Sequence, residues 1–351
     1  MTHDTVPDRW GWVAAGGVAA WLAWRGYRSL YGYDFRGKTA LVTGGSRGLG
    51  LILARKLVDE GAKVAVCAPD ADELDRAFDD LGRRGGHVVT VPCDLTKPEQ
   101  VNEMVATVEQ RLGPIDVLVN NAGIITIGPV DHMTLDDFRK AMNANFYSAL
   151  HTILAVVPGM RGRQRGRIVN ITSIGGKISI PHLLPYSTSK FALVGLSEGL
   201  RAELAKDGVV VTTVVPGLMR TGSPRQAEVK GKVQEEFAWF SVSDALPGFS
   251  MSADRAARQI LAAYRRGDAE VVLSLPAKVA VLLHGIFPGL TSDLLALANL
   301  ALPGPGGAGS RGVSAKVIPP PPRWLTALSD RAAERNNEIA PASAANASAG
   351  A

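Results

Sequence analysis

KTALVTGGSRGLG, residues 38–50, opens with a short apolar strand candidate at 38–42. The glycine-rich run at 43–50 follows directly and leads into a helical pattern ending near Glu60. Gly44 and Gly45 permit a tight turn after the strand. Gly48 and Gly50 let main chain approach a diphosphate closely at a helix N-terminus, where unpaired N–H groups point outward. The spacing of Gly44, Gly48 and Gly50 is G-x-x-x-G-x-G, which differs from the commoner G-x-G-x-x-G. Alone it also fits an ordinary strand-to-helix turn. Its place after a first strand, with another parallel unit behind it, favours a dinucleotide loop.

Outward from that run, strand-like segments recur at 63–68, 87–92, 116–120, 167–172, 209–214 and 270–273. Helical stretches separate them, among them 98–111, which has Pro98 in its first turn, and long ones near 134–157 and 186–206. This alternation predicts an α/β fold, a doubly wound parallel Rossmann-type sheet with helices on both faces and ligands at the strands' C-terminal ends. The 351 residues are 46% hydrophobic, enough for a sizeable core. They divide into an N-terminal segment (1–37), a catalytic domain (38–273), an apolar helical extension (274–302) and a Pro/Gly/Ala-rich tail (303–351), read as partly disordered. Lys and Arg exceed Asp and Glu by 38 to 33, but the excess is scattered, which points away from nucleic acid. Two cysteines, Cys67 and Cys93, form no bridging framework, and the His and Cys spacing suggests no metal site.

Both flanks of the domain are apolar. Residues 10–24 read WGWVAAGGVAAWLAW without a charge, with tryptophans at both ends and Arg25 and Arg28 following. Fifteen residues reach roughly 22 Å as a helix, short of a hydrocarbon core of about 30 Å. The segment reads as membrane-associating, spanning or interfacial, with the catalytic domain in the cytoplasm. A helix packed on the domain of a soluble cytoplasmic protein is the alternative, and a cleaved signal is a third. At 275–302, Pro276, Pro288 and Gly289 interrupt an apolar stretch, which predicts two short helices forming a lid, an interfacial patch or plain core packing.

Taken together, TGGSRGLG at 43–50, CDLT at 93–96, NNAG at 120–123, Asn145, Ser173, YSTSK at 186–190 and Pro216-Gly217 resemble the single-domain short-chain dehydrogenase/reductase family. The resemblance covers about 36–273. It implies hydride transfer between carbon and NAD(P), and a catalytic set of Asn145, Ser173, Tyr186 and Lys190. It also implies cofactor contacts at Thr43, Gly44, Ser46, Arg47, Gly48, Leu49, Gly50, Asp94, Leu95, Asn121, Ala122, Gly123, Tyr186, Lys190, Pro216, Gly217 and Thr221. Asp94 would meet the adenine region and Pro216-Gly217 would lead to the nicotinamide. A homodimer or homotetramer packed through the long helices is a further implication.

The residues support that chemistry by themselves. Tyr186 and Lys190, four apart, share a helix face. A phenol is a poor base at neutral pH, and a neighbouring ammonium favours its anion, so Tyr186 can exchange a proton with a substrate oxygen. Ser173 offers a hydroxyl to the same oxygen; the resemblance adds ribose contact by Lys190 and a water held by Asn145. At the end of the second strand, Ala68 stands where a ribose-gripping carboxylate would, and Arg47 can pair with a 2′-phosphate, so NADP(H) is favoured; Asp70 keeps NAD(H) open. Phe237, Trp239, Phe240, Leu246 and Phe249 fall where the resemblance implies the substrate lid, suiting an apolar substrate or plain core packing, and His182 and Leu183 could line the pocket. The expected reaction is hydride transfer between NADP(H) and a hydrophobic, lipid-like alcohol or carbonyl. The alternatives are an NAD(H)-dependent enzyme for a small or xenobiotic carbonyl, and a non-redox or inactive dinucleotide-binding protein.

Overall fold

The computed structural model describes residues 32–246, 248 and 250–339, with isolated positions 16, 17, 23 and 26. Most of the apolar run at 10–24, together with Phe249 and residues 340–351, lies outside the described residues, and so do the expectations placed there.

Seven parallel strands form the central sheet: β1 (Thr39–Thr43), β2 (Lys63–Ala68), β3 (Val88–Pro92), β4 (Ile115–Asn120), β5 (Gly166–Ile171), β6 (Val209–Val215) and β7 (Glu270–Val272). Their spatial order is 3-2-1-4-5-6-7, so the order of connection reverses between β1 and β4, where a doubly wound fold opens its ligand crevice. Sequences such as KVAVCA and IDVLVN are buried along their length, as strands covered on both faces must be.

Helices α1 (Gly48–Asp59) and α2 (Ala71–Gly82) pack on one face of the sheet, while α3 (Pro98–Leu112) packs on the other. The expected long helix near 134–157 is instead α4 (Leu135–Met142), a π-helical turn (Asn143–Tyr147) and α5 (Ser148–Gly162). Thr134 and Asp137 box the start of α4. The long helix α6 (Leu184–Leu204) joins α3 and α5 against the second face. After it come α7 (Val233–Ala245) and α8 (Ala253–Arg266), the latter closing the first face beside α1 and α2.

Above the strand ends lies a smaller apolar cluster of Ile127, Leu183, Val229, Phe237, Phe240, Ala315 and Ile318. A three-stranded ribbon of Thr126–Ile127, Glu228–Val229 and Val313–Ser314 ties it together. The apolar stretch after β7 folds as two short helices, α9 (Leu275–Ile286) and α10 (Pro288–Asn299). Within the tail, residues 313–339 lie against the body through the ribbon and a further helix, α11 (Arg323–Arg335).

Candidate active site

The glycine run sits at the C-terminal end of β1 and starts α1. Thr43 stitches it to the β4 end, its Oγ1 accepting from the N–H groups of Asn121 (3.0 Å) and Ala122 (3.2 Å). Asn121 returns Nδ2 to the carbonyls of Thr43 (3.1 Å) and Gly44 (3.0 Å). Gly44, at φ +59°, leaves no room for a side chain, since a Cβ would stand 2.9 Å from the Ala122 Cα. Gly48, at φ +56°, opens the first turn of α1. This cradle of close main chain at a helix N-terminus fits a dinucleotide's phosphates.

Beside the glycine run stands the start of α2. Ser46 Oγ donates to Glu73 Oε2 at 2.9 Å and Arg47 forms an ion pair with the same carboxylate. Asp70 caps α2, accepting from Glu73 N at 2.9 Å, so its carboxylate is committed to the helix start. Asp94 turns on itself, accepting from Thr96 N and Oγ1, and these bonds hold its carboxyl below the usual range. Leu95 is buried in the core, and its carbonyl meets His151 Nδ1 at 3.0 Å.

The four catalytic candidates converge. Ser173 follows β5, and its hydroxyl accepts from Gly175 N at 3.0 Å and lies on the same side of Gly175 as the Tyr186 ring, where it lowers the phenol's pKa. Tyr186 and Lys190 lie one turn apart on α6, with Lys190 Nζ 5.8 Å from the tyrosine ring and bonded to the Ile171 carbonyl at 3.0 Å. Asn145, fully buried, owes its inward direction to the π-helical turn. Its Oδ1 accepts from Ile124 N (2.8 Å), and its Nδ2 donates to Ile124 O (3.1 Å) and Ser189 Oγ (2.8 Å). Gly123 brings Asn145 to Lys190: a Cβ there would lie 2.6 Å from Asn145 Oδ1 and 3.4 Å from Lys190 Nζ.

Burial pushes Lys190 down to about 8. It also pushes the Tyr186 phenol up, with the Ser173 hydroxyl opposing it and the charge of Asp244 adding to it. Without a cofactor the phenol is thus held protonated, and burial outweighs the help of the neighbouring hydroxyl.

The Pro216 carbonyl accepts from Ile174 N at 2.7 Å, linking the loop after β6 to the Ser173 turn. Gly217 meets Ser274 and Ala277 at the start of α9. Thr221 is buried, its hydroxyl 2.6 Å from that of Ser223.

Three acids escaped the sequence reading. Glu73 holds Ser46 and Arg47; its only sequence signal is the Asp70-x-x-Glu73 helix start. Asp244 on α7 is a buried carboxyl pushed up to about 7 by desolvation, accepting from Met219 N at 3.0 Å. Glu338 lies beyond α11 against Arg47 and Gly48. The lid contributes less open apolar surface than its composition suggests, because Phe237 and Phe240 are buried in the apolar cluster while Leu246 is exposed. His182 is buried and paired with Glu236. Among the described residues no group of three or more His, Cys, Asp or Glu is placed to hold a metal ion.

The short chain dehydrogenase family matches residues 38–230. A D-beta-hydroxybutyrate dehydrogenase of Rhizobium meliloti is 34% identical over 206 residues, covering 57% of this chain and 80% of that protein. A dehydrogenase/reductase SDR family protein 7-like of Anopheles gambiae is 35% identical over 243 residues, 68% of this chain and 75% of that protein. The crystal structure of a gluconate 5-dehydrogenase from Burkholderia cenocepacia, solved with NADP and tartrate, superposes with a TM-score of 0.62 at 26% identity, covering 70% of this chain and 98% of that one. The chain belongs to the short-chain dehydrogenase/reductase family, in its single-domain form. It is an oxidoreductase that transfers a hydride between a nicotinamide dinucleotide and an alcohol or carbonyl group.

Proposed function

We propose that this enzyme interconverts a small alcohol and its carbonyl with NADP(H), using Tyr186 as the acid/base. The observation that carries the reading is the convergence of Ser173, Tyr186, Lys190 and Asn145 beside an apolar wall of Ile125, Ile180, Leu183 and Trp239. The bound dinucleotide supplies or accepts the hydride. Tyr186 donates its proton to the substrate oxygen during reduction and removes one during oxidation, while Ser173 holds that oxygen. Lys190 lies behind the phenol, and Asn145 keeps the segment at 123–124 in place beside it.

A lipid-like substrate was expected from the apolar flanks and the aromatic lid. The small-substrate reading has better support: Phe237 and Phe240 are spent on core packing, and the named relatives act on hydroxybutyrate and gluconate. NADP(H) is favoured because Asp70 is committed to capping α2, while Arg47, now paired with Glu73, can turn to a 2′-phosphate. Purified enzyme should oxidise NADPH with ketones and aldehydes graded in size, and Tyr186→Phe should not. Turnover retained in that variant would contradict the assignment.

A lipid surface is the partner favoured for α9 and α10. No described helix is long and apolar enough to cross a membrane. Yet Leu275, Leu282, Ile286, Phe287, Leu290, Leu297 and Leu300 are all exposed, and Lys278 and Asp293 are the only charged side chains from 275 to 302. Flotation with phosphatidylcholine vesicles should be lost in Leu282→Ser/Ile286→Ser/Leu290→Ser. Equal flotation of both proteins would reject this surface. The exposed Tyr147, Leu154 and Phe191 on or beside the long helices α5 and α6 favour a homodimer or homotetramer, checked by light scattering in detergent.

A further inference from the structure

The diphosphate seat of the glycine run is in contact with the chain's own C-terminal segment. Gly48 N, the first N–H of α1, donates to the Asn336 carbonyl at 2.8 Å. The Glu338 carboxylate stands where a side chain on Gly48 would project, its Oε1 2.5 Å from that Cβ position. This is the space that a glycine keeps open for a phosphate. Arg47 Nε lies 3.6 Å from Glu338 Oε2, a buried atom with no hydrogen-bond partner among the described residues.

Around it the segment is held by groups that border the same groove. Asn337 Nδ2 donates to the Ser46 carbonyl (2.8 Å) and the Glu73 carbonyl (3.1 Å), and its Oδ1 accepts from Arg76 Nε (2.6 Å). Arg55 reaches Asn336 Oδ1 (3.0 Å) and the Arg335 carbonyl (2.9 Å). On the nicotinamide side, Gln226 Nε2 donates to the Glu338 carbonyl at 3.0 Å, and Gly222 faces Ala333 and Glu338 Cβ. The segment therefore spans from the glycine run to the loop after Thr221, along the course a dinucleotide's diphosphate must take.

We propose that residues 336–338 are a built-in competitor for the dinucleotide, with the Glu338 carboxylate standing in for a phosphate, so that cofactor binding requires the segment to leave. This rests on the dinucleotide reading of the groove. A single carboxylate whose Oε2 accepts no hydrogen bond among the described residues is a weaker occupant than a diphosphate, which can accept from several α1 N–H groups at once. The segment is thus displaceable, and it lowers cofactor affinity by the fraction of chains in which it is seated.

The test compares NADPH affinity, by fluorescence titration, in the unmodified full chain and in full-length Glu338→Arg, which sets a cation against Arg47 and the α1 N-terminus. The variant should bind NADPH about 10-fold or more tightly. In parallel, saturating NADPH should accelerate tryptic cleavage after Arg335 in the unmodified chain. Equal or weaker binding by the variant, together with protection of Arg335 by NADPH, would overturn the proposal and make the segment a wall of the bound-cofactor site. If neither folded protein binds NADPH or NADH, the dinucleotide reading itself fails, and the proposal with it.

Discussion

Replacing His182 by Ala should destabilise the protein by about 3 kcal/mol. His182 Nδ1 meets both oxygens of Glu236, at 2.8 and 2.9 Å, and Trp239 Nε1 donates to Glu236 Oε2 at 2.7 Å. Glu236 is fully buried at the start of α7, while His182 immediately precedes the first turns of the catalytic helix. Removing one partner of a buried hydrogen-bonded pair leaves the other unsatisfied, which costs roughly 1–3 kcal/mol. Here the upper end applies, because Glu236 is fully buried and His182 meets both of its oxygens, leaving Trp239 as its one remaining side-chain donor among the described residues. Glu236→Gln keeps an acceptor and removes the charge, so its cost should be near 1 kcal/mol. Replacing both residues with leucine should recover most of the loss, since exchanging both partners of a buried hydrogen bond for apolar side chains can be nearly neutral. Urea unfolding followed by tryptophan fluorescence reads all of these as midpoint shifts at constant slope. The same variants should raise KM more than they lower kcat, because α7 covers the substrate side of Tyr186. A His182→Ala cost below about 1 kcal/mol, or a coupling energy near zero in the double-mutant cycle, would refute the argument.

Tyr186→Phe should lower kcat by roughly 10²- to 10⁴-fold with KM for NADPH little changed, read by steady-state kinetics. Arg47→Ala should lower kcat/KM for NADPH by about 10-fold while leaving NADH nearly unaffected; an equal loss with both would place the 2′-phosphate elsewhere. Lys190 titrates near 8 in the cofactor-free fold but at its ordinary value, about 10.4, when unfolded. The unfolded chain then binds the extra proton between those values, so stability should rise with pH from about 8 upward by at most about 3 kcal/mol. Thermal unfolding of Lys190→Met should lack that rise, and an unchanged pH profile would show that Lys190 is not the group responsible.

Much of this architecture is legible because parallel strands announce themselves. KVAVCA at β2 and IDVLVN at β4 are continuous apolar runs between amphipathic helices, and their observed limits fall within a residue or so of the sequence reading. Tyr186 and Lys190 are legible because both lie on one helix. The π-helical turn was not, since 134–157 carries an unbroken helical pattern and only the tertiary bonds of Asn145 to Ile124 and Ser189 distinguish the bulge. The role of His182 was equally hidden: its partner Glu236 is 54 residues away. Asp70 looked like a candidate ribose ligand by position, but the N–H of Glu73 claims it.

The least legible contact is also the one that joins the two halves of the site. A Pro- and Gly-rich composition says little about where 303–339 lies, because its bonds to Gly48, Ser46 and Arg55 cross more than 270 positions of sequence. Yet α11 packs beside α7, with Thr326, Ser329 and Asp330 facing Phe237, Ser241 and Arg225 around a shared cleft, and Arg225 pairs with Asp330. The lid helix is therefore fixed at one end by His182 and flanked on another side by the segment that reaches the diphosphate seat. Displacement of residues 336–338 by a dinucleotide would loosen the α11 side of α7 while leaving the His182–Glu236 tie intact. Substrate access should accordingly depend on cofactor binding: NADPH added first should speed substrate association in stopped-flow mixing, and in Glu338→Arg that dependence on order should be reduced.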